Sequence, residues 1–180
     1  MQMALIAYPI LFSLNSQNYW IMKKIELQYS EVTNAKQIVF SEKKSNITFV
    51  NQSSMWYFKT HIDDCVFTAS DGKKCDYKLE KYSGSNVSSN KILEEYKKEC
   101  GNGIKYFIEL KGRDIESAVQ QLENTIAKLA YQEKGNYAIV IFSNGMPISS
   151  TELMQIKGKF KKKYQVTLSF ERTGFKFSLS

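Results

Sequence analysis

A single histidine, three cysteines and no apolar stretch of membrane-spanning length set the first limits on this chain of 180 residues. His61 has no identifiable partner for acid–base work, so histidine-centred catalysis has little to build on. Cys65, Cys75 and Cys100 form an odd set with no Cys-x-x-Cys pair. That argues against a disulfide framework and a structural zinc site, and fits reduced thiols in a cytoplasmic protein. The opening stretch MQMALIAYPILFSL lacks the basic start of a signal peptide, is interrupted by Pro9, and falls short of the roughly 20 residues that cross a bilayer. It reads as a buried or surface-docked segment, or as an extension upstream of a chain that starts at Met22. The expected organisation is therefore an apolar segment over 1–22 and one domain over 23–180, with no membrane partner.

What the chain does have is an ordinary globular composition, 43% hydrophobic, and a formal charge of +7. A pI near 9.2 favours an anionic partner such as nucleic acid. Asn46, Asn51 and Asn86 stand in N-x-S/T triplets, which carry meaning only in a secreted chain.

Along the chain, residues 23–40 mix helix and strand signals. SEKKSN from Ser41 reads as a polar loop, and Ile47–Val50 and Trp56–Lys59 as short β runs. Asp71-Gly72 predicts a hairpin between two β-rich runs, the second placing Asp76, Lys78 and Glu80 on one face. A serine-rich loop leads to a helix at NKILEEYKKE, and Gly101-Asn102-Gly103 turns the chain into a strand over 104–111. Asp114 then caps a helix whose stripe is Ile115, Ala118, Val119, Leu122, Ile126 and Leu129. The unbroken run YAIVIF, Tyr137–Phe142, is the mark of a strand covered on both faces, so 104–143 reads as a βαβ crossover. A last helix over 150–162 and a closing hairpin with its turn at Arg172–Gly174 complete the pattern.

The chemistry is concentrated at the end of one strand. Glu109 and Lys111 interrupt KYFIELK on one side, because residues i and i+2 of a strand face the same way. Other Glu-x-Lys pairs lack that context. Glu95 and Lys97 fall on a predicted helix, where i and i+2 point about 200° apart, and Glu42 with Lys44 falls in a loop. Asp76, on a neighbouring predicted strand, could meet Glu109 across the sheet. Two such carboxylates repel unless a cation lies between them, and Mg²⁺ suits a site of oxygen ligands, water and substrate phosphate. The alternative is a cross-strand ion-pair cluster on a solvated face. Asp63 and Asp64 could supply a further ligand or form a turn.

Cys75-Asp76-Tyr77, then Phe107-Ile108-Glu109-Leu110-Lys111-Gly112, then Ala118-x-x-Gln121-Leu122 resemble the PD-(D/E)xK nuclease superfamily, the restriction-endonuclease-like fold. The resemblance covers a motif core over 63–143. It implies a single α/β domain with a central mixed sheet flanked by helices, and a Mg²⁺-dependent endonuclease acting on DNA rather than RNA, in restriction, defence or repair. Mn²⁺ would substitute. A catalytically inactive binding module of the same fold, or a Holliday-junction-type resolvase, is the alternative. Asp76, Glu109 and the Leu110 carbonyl become metal ligands, Lys111 assists the attacking water, and Gln121 supports the site. The family often has an early helical Glu, for which Glu31 is the candidate. Arg113 and the run Lys157, Lys159, Lys161, Lys162 and Lys163 are candidate phosphate contacts. A homodimer is compatible with this reading.

Overall fold

The computed structural model describes residues 16–67, 72–84, 91–92, 103–111, 114–129, 135–143, 145 and 148–179, with 16–20 and 111 through their backbone alone. The apolar start over 1–15, the Asp71 turn position and the body of the 90–99 helix lie outside the described residues. Helix α1 (Ser16–Gln28) is followed by β1 (Ser30–Thr33), β2 (Gln37–Glu42), β3 (Ser45–Asn51) and β4 (Tyr57–His61). Then come β5 (Tyr77–Lys81), β6 (Lys105–Lys111), α2 (Ile115–Leu129), β7 (Tyr137–Phe142), α3 (Ser150–Tyr164), β8 (Thr167–Arg172) and β9 (Phe175–Leu179). The fold is α/β with a mixed sheet. Six strands run in the order β1-β4-β5-β6-β7-β8, and three more form a second sheet, β2-β3-β9.

The crossover expected over 104–143 is present: β6 and β7 are parallel, with Tyr106 paired to Tyr137 and Lys111 to Phe142. Its helix begins where the Asp114 carboxylate accepts the Ser117 amide hydrogen at 3.0 Å, satisfying a donor the first turn leaves open. Ile115, Ala118, Leu122, Ile126 and Leu129 are all buried, and the four larger side chains each contribute about 1.5–3 kcal/mol by leaving water. α3 starts with a reciprocal Ser149–Glu152 capping box. Hydrogen bonds from the Ser149 backbone and side chain hold the Glu152 carboxyl below the usual carboxylate range.

All three described helices lie on one face of the large sheet. There α2, α3 and α1 residues Met22 and Ile25 pack over Phe107, Val140, Phe142, Leu168 and Phe170. The expectation of a sheet flanked by helices is met on that face alone. The other face is covered by the small sheet, whose Ile38, Phe40, Ile47, Phe49 and Leu179 meet Leu79, Tyr106, Ile108, Leu110, Ile139 and Ile141. Aromatic rings fill this interlayer: Phe177 lies 5.4 Å from Tyr106 and 5.6 Å from Tyr137. Among the described residues, no helix is long and apolar enough to cross a membrane.

Three local expectations change. SEKKSN is a hairpin, with β2 and β3 paired from Gln37–Val50 to Glu42–Ser45 around a Lys43-Lys44 turn. Residues 62–66 form a tight turn, non-helical at Asp63 and Asp64, and not a strand: Ile62 and Val66 are buried and Asp64 between them is exposed. The partner of β5 is β4. Finally, Thr173-Gly174 does turn the chain, with Gly174 at φ +82, a value glycine adopts without strain. It leads, however, from one sheet into the other: β9 pairs with β3 in parallel, so no closing hairpin forms.

Candidate active site

Asp76 is the residue before β5, and its main chain is held from two sides. Gln121 of α2 donates from Nε2 to the Lys74 carbonyl at 2.7 Å, Asn124 to the Lys73 carbonyl at 3.1 Å, and the Cys75 amide donates to Thr125 Oγ1 at 2.9 Å. On the other side the Ile62 amide donates to the Asp76 carbonyl at 2.9 Å. Four bonds thus fix the approach to β5, three of them from polar residues on one helix face.

The antiparallel register of β5 and β6 pairs Tyr77 with Ile108 and Lys78 with Phe107. Continued one step, it sets Asp76 opposite Glu109, on the same side of the sheet. The side chain of Asp76 makes the connection: Oδ2 accepts the Leu110 amide hydrogen at 2.6 Å. Glu109 is fully buried and Asp76 is 8% exposed. Neither is on a solvated face. Their proximity is felt by Cys75, whose thiol burial pushes well above its ordinary range, with the charges of Glu109 and Asp76 pushing the same way. The backbone of Lys111 ends β6 beside Phe142. The side chain of Lys111, and Arg113, lie outside the described residues.

The polar side of β5 is a buried charge network. Lys78 is bonded to Glu26 and, at 2.9 Å, to Glu80, while Lys23 reaches Glu80 at 3.1 Å. Burial disfavours every one of these charges, and the pairing decides the outcome. It holds Glu80 down at about 2, through Lys78, Lys23 and Lys105, and Lys78 above the usual lysine range through Glu26 and Glu80. Lys23 goes the other way: burial, with Lys78 alongside, pulls it down to about 8. The helical glutamate on this side is therefore Glu26. Glu31 sits on β1, exposed, 4.0 Å from Lys59.

In front of Asp76 opens a cleft of about 620 Å³, lined among others by Gln121, Asp63 and the hairpin residues Glu42, Lys43 and Lys44. Glu109, fully buried, is not among the residues that line it. Asp63 reaches the cleft because the turn at 62–66 breaks helical geometry, with Asp63 extended and Asp64 left-handed at φ 57. Comparison with family models, curated proteins and solved structures gives no match. What the cleft can do therefore rests on its own residues.

Two carboxylates on adjacent strands and the Leu110 backbone are hard oxygen donors, suited to Mg²⁺, which completes its shell with water and phosphate. Among the described residues, no three of His, Cys, Asp and Glu converge as a full protein cage. His61 is exposed, stacked 4.9 Å from the Tyr77 ring and 3.4 Å from Cys65 Sγ. Of the lysine run, Lys161 bonds Thr167, the first residue of β8, and Lys157 lies over the ring of Phe170, the β8 residue level with Glu109 through Val140.

Of the residues around this cleft, Asp63, Asp76, Glu109, Leu110 and Gln121 were legible as candidates. Thr125 and the Lys43-Lys44 turn were not. A threonine inside a helical stripe reads as ordinary filler, and the turn lacks the Asn-Gly signal that marks a two-residue hairpin.

Proposed function

We propose that the chain is a metal-dependent phosphodiesterase of the restriction-endonuclease-like kind, cutting DNA at the Asp76 cleft. The observation that carries this reading is the bond from the Leu110 amide to Asp76 Oδ2, which ties the Asp residue to the Glu-x-Lys strand. The order Asp, then Glu-x-Lys on the neighbouring strand, then a helix whose Gln braces the Asp segment supports it further. Asp76, Glu109 and the Leu110 carbonyl would hold Mg²⁺, which when bound supplies positive charge for the scissile phosphate and acidifies water. Asp76 presents its carboxylate to the cleft, and Gln121 keeps the strand entry from shifting. Lys111, two residues beyond Glu109 at the end of β6, would orient the attacking water and offset charge developing on the phosphate.

The enclosure of Glu109 favours a second reading, a DNA-binding module of the same fold without catalysis. One experiment separates them: purified protein against duplex, single-stranded, branched and RNA substrates, with Mg²⁺, Mn²⁺ or EDTA. Cutting of DNA that requires the cation and stops with EDTA supports the nuclease. An inert protein whose melting temperature no divalent cation shifts, yet which binds DNA, supports the module.

A further inference from the structure

Among the described residues, the basic side chains lining the Asp76 cleft come from a hairpin and not from the lysine run. Lys43 and Lys44 form the tip of the β2–β3 hairpin and line the same cleft as Asp76, Asp63 and Gln121. We propose that this tip is the phosphate-gripping arm of the cleft and that its partner is the backbone of duplex DNA, an inference that rests on the nuclease reading.

The arm is held in place. Thr173, at the corner between β8 and β9, accepts the Asn46 amide hydrogen at 3.0 Å and donates to the Lys44 carbonyl at 3.2 Å. The Gly174 amide adds a bond to the Asn46 carbonyl at 2.9 Å. Behind the tip, Phe40 and Ile47 are sunk in the interlayer core. The lysines are thus presented from a fixed position, and the ordering cost of a mobile loop does not fall on binding.

Lys43 adopts φ 52, a left-handed conformation that glycine or asparagine takes at lower cost. A lysine held in that costlier conformation is consistent with a use for its side chain. Its ammonium lies 3.4 Å from Glu42, with side-chain exposures of 87% and 38%, a solvated pair that phosphate can displace.

Within the lysine run, Lys161 is held away from the Asp76 cleft. Lys161 is anchored at the start of β8, and the candidate carboxylates lie toward the opposite ends of the parallel strands. Three strand residues at about 3.3 Å each separate the two levels by roughly 10 Å along the strands. The choice of duplex over single-stranded DNA follows from the cleft wall: among the described residues it contains no aromatic side chain, and bases held without a partner strand need one to stack on.

The test is equilibrium binding of a labelled duplex in EDTA, so that no cutting occurs, across a salt series. K43Q/K44Q should weaken binding and flatten the log-salt slope by up to about 0.9 for each phosphate no longer neutralised, while K159Q/K162Q keeps the wild-type slope. A wild-type slope in K43Q/K44Q overturns the arm and leaves the nuclease reading intact, since cation-dependent cutting is scored separately. A slope change confined to single-stranded DNA overturns the duplex partner. Wild-type protein that binds no DNA overturns the arm and, if no cutting occurs either, the nuclease reading with it.

Discussion

The hydroxyl of Thr125 accepts the Cys75 amide hydrogen at 2.9 Å and donates its own to the Gln121 carbonyl at 2.9 Å, all inside the core. One side chain thereby joins α2 to the residue before Asp76. Thr125→Val keeps the shape and strands the Cys75 N–H in a buried site, which should cost about 1–3 kcal/mol. Thr125→Ser retains the bond and should recover most of that loss. Urea unfolding of the three proteins measures it. If Asp76 also depends on this brace, Thr125→Val will raise the cation concentration needed for half-maximal cutting while Thr125→Ser will not.

The buried network on α1 and β5 predicts a specific acid sensitivity. Glu80 is held at about 2 against an ordinary 4.5, so its contribution is complete above the unfolded value and disappears as pH falls from 4.5 to about 2. Unfolding free energy should drop by a few kcal/mol over that interval. Lys23 has the opposite sense: depressed to about 8, it makes stability rise as pH climbs from 8 toward its ordinary 10.5. Glu80→Gln leaves Lys78 and Lys23 buried with less countercharge and should cost on the order of 3–5 kcal/mol at neutral pH. The same substitution should remove most of the acid-side slope, and a variant that kept the full slope would assign it to other carboxylates.

Local periodicity made the middle of the chain readable. The capped stripe from Ile115 to Leu129 and the run Tyr137–Phe142 depend on neighbours three, four or two residues away, and both elements stand where the pattern put them. Glu109 and Lys111 stood out for the same reason. Less was visible where partners are distant. The burial of Lys78 and Glu80 depends on Glu26 and Lys23, 52 and 57 residues off, which no local window contains. The Lys43-Lys44 turn is secured by Thr173, and β9 leaves its neighbour β8 for β3 because Phe177 finds an aromatic layer there.

Asp63 should matter to the cleft without being essential to the fold. It is half-buried at the cleft wall, on a turn whose geometry is set by backbone bonds and not by its carboxylate. Asp63→Asn should leave the melting temperature within about a degree or two, the scale of a surface substitution. If its charge helps to collect the cation, the Mg²⁺ concentration for half-maximal cutting will rise, and supplying more Mg²⁺ will restore the rate. A rate loss that excess Mg²⁺ cannot restore would place Asp63 in the chemistry itself.

Glu109 and Lys111 make separable demands on the reaction. Glu109→Gln nearly preserves volume but removes a charge from a fully buried position, so the fold should persist while cation-dependent cutting is abolished. Lys111→Ala ends the proposed support of the attacking water and should slow single-turnover hydrolysis by a factor on the order of 10² or more. Its cation titration should stay close to wild type, because the oxygen donors are intact. Binding of uncut duplex in EDTA should survive both substitutions, since phosphate contacts elsewhere supply the affinity. The informative comparison is between the two variants. Glu109→Gln should lose the cation-induced rise in melting temperature, and Lys111→Ala should keep it. If both keep it while cutting is abolished, the cation is held without Glu109, and the buried carboxylate becomes an electrostatic support of Asp76. If neither substitution affects cutting, the catalytic centre lies outside the Asp76 cleft.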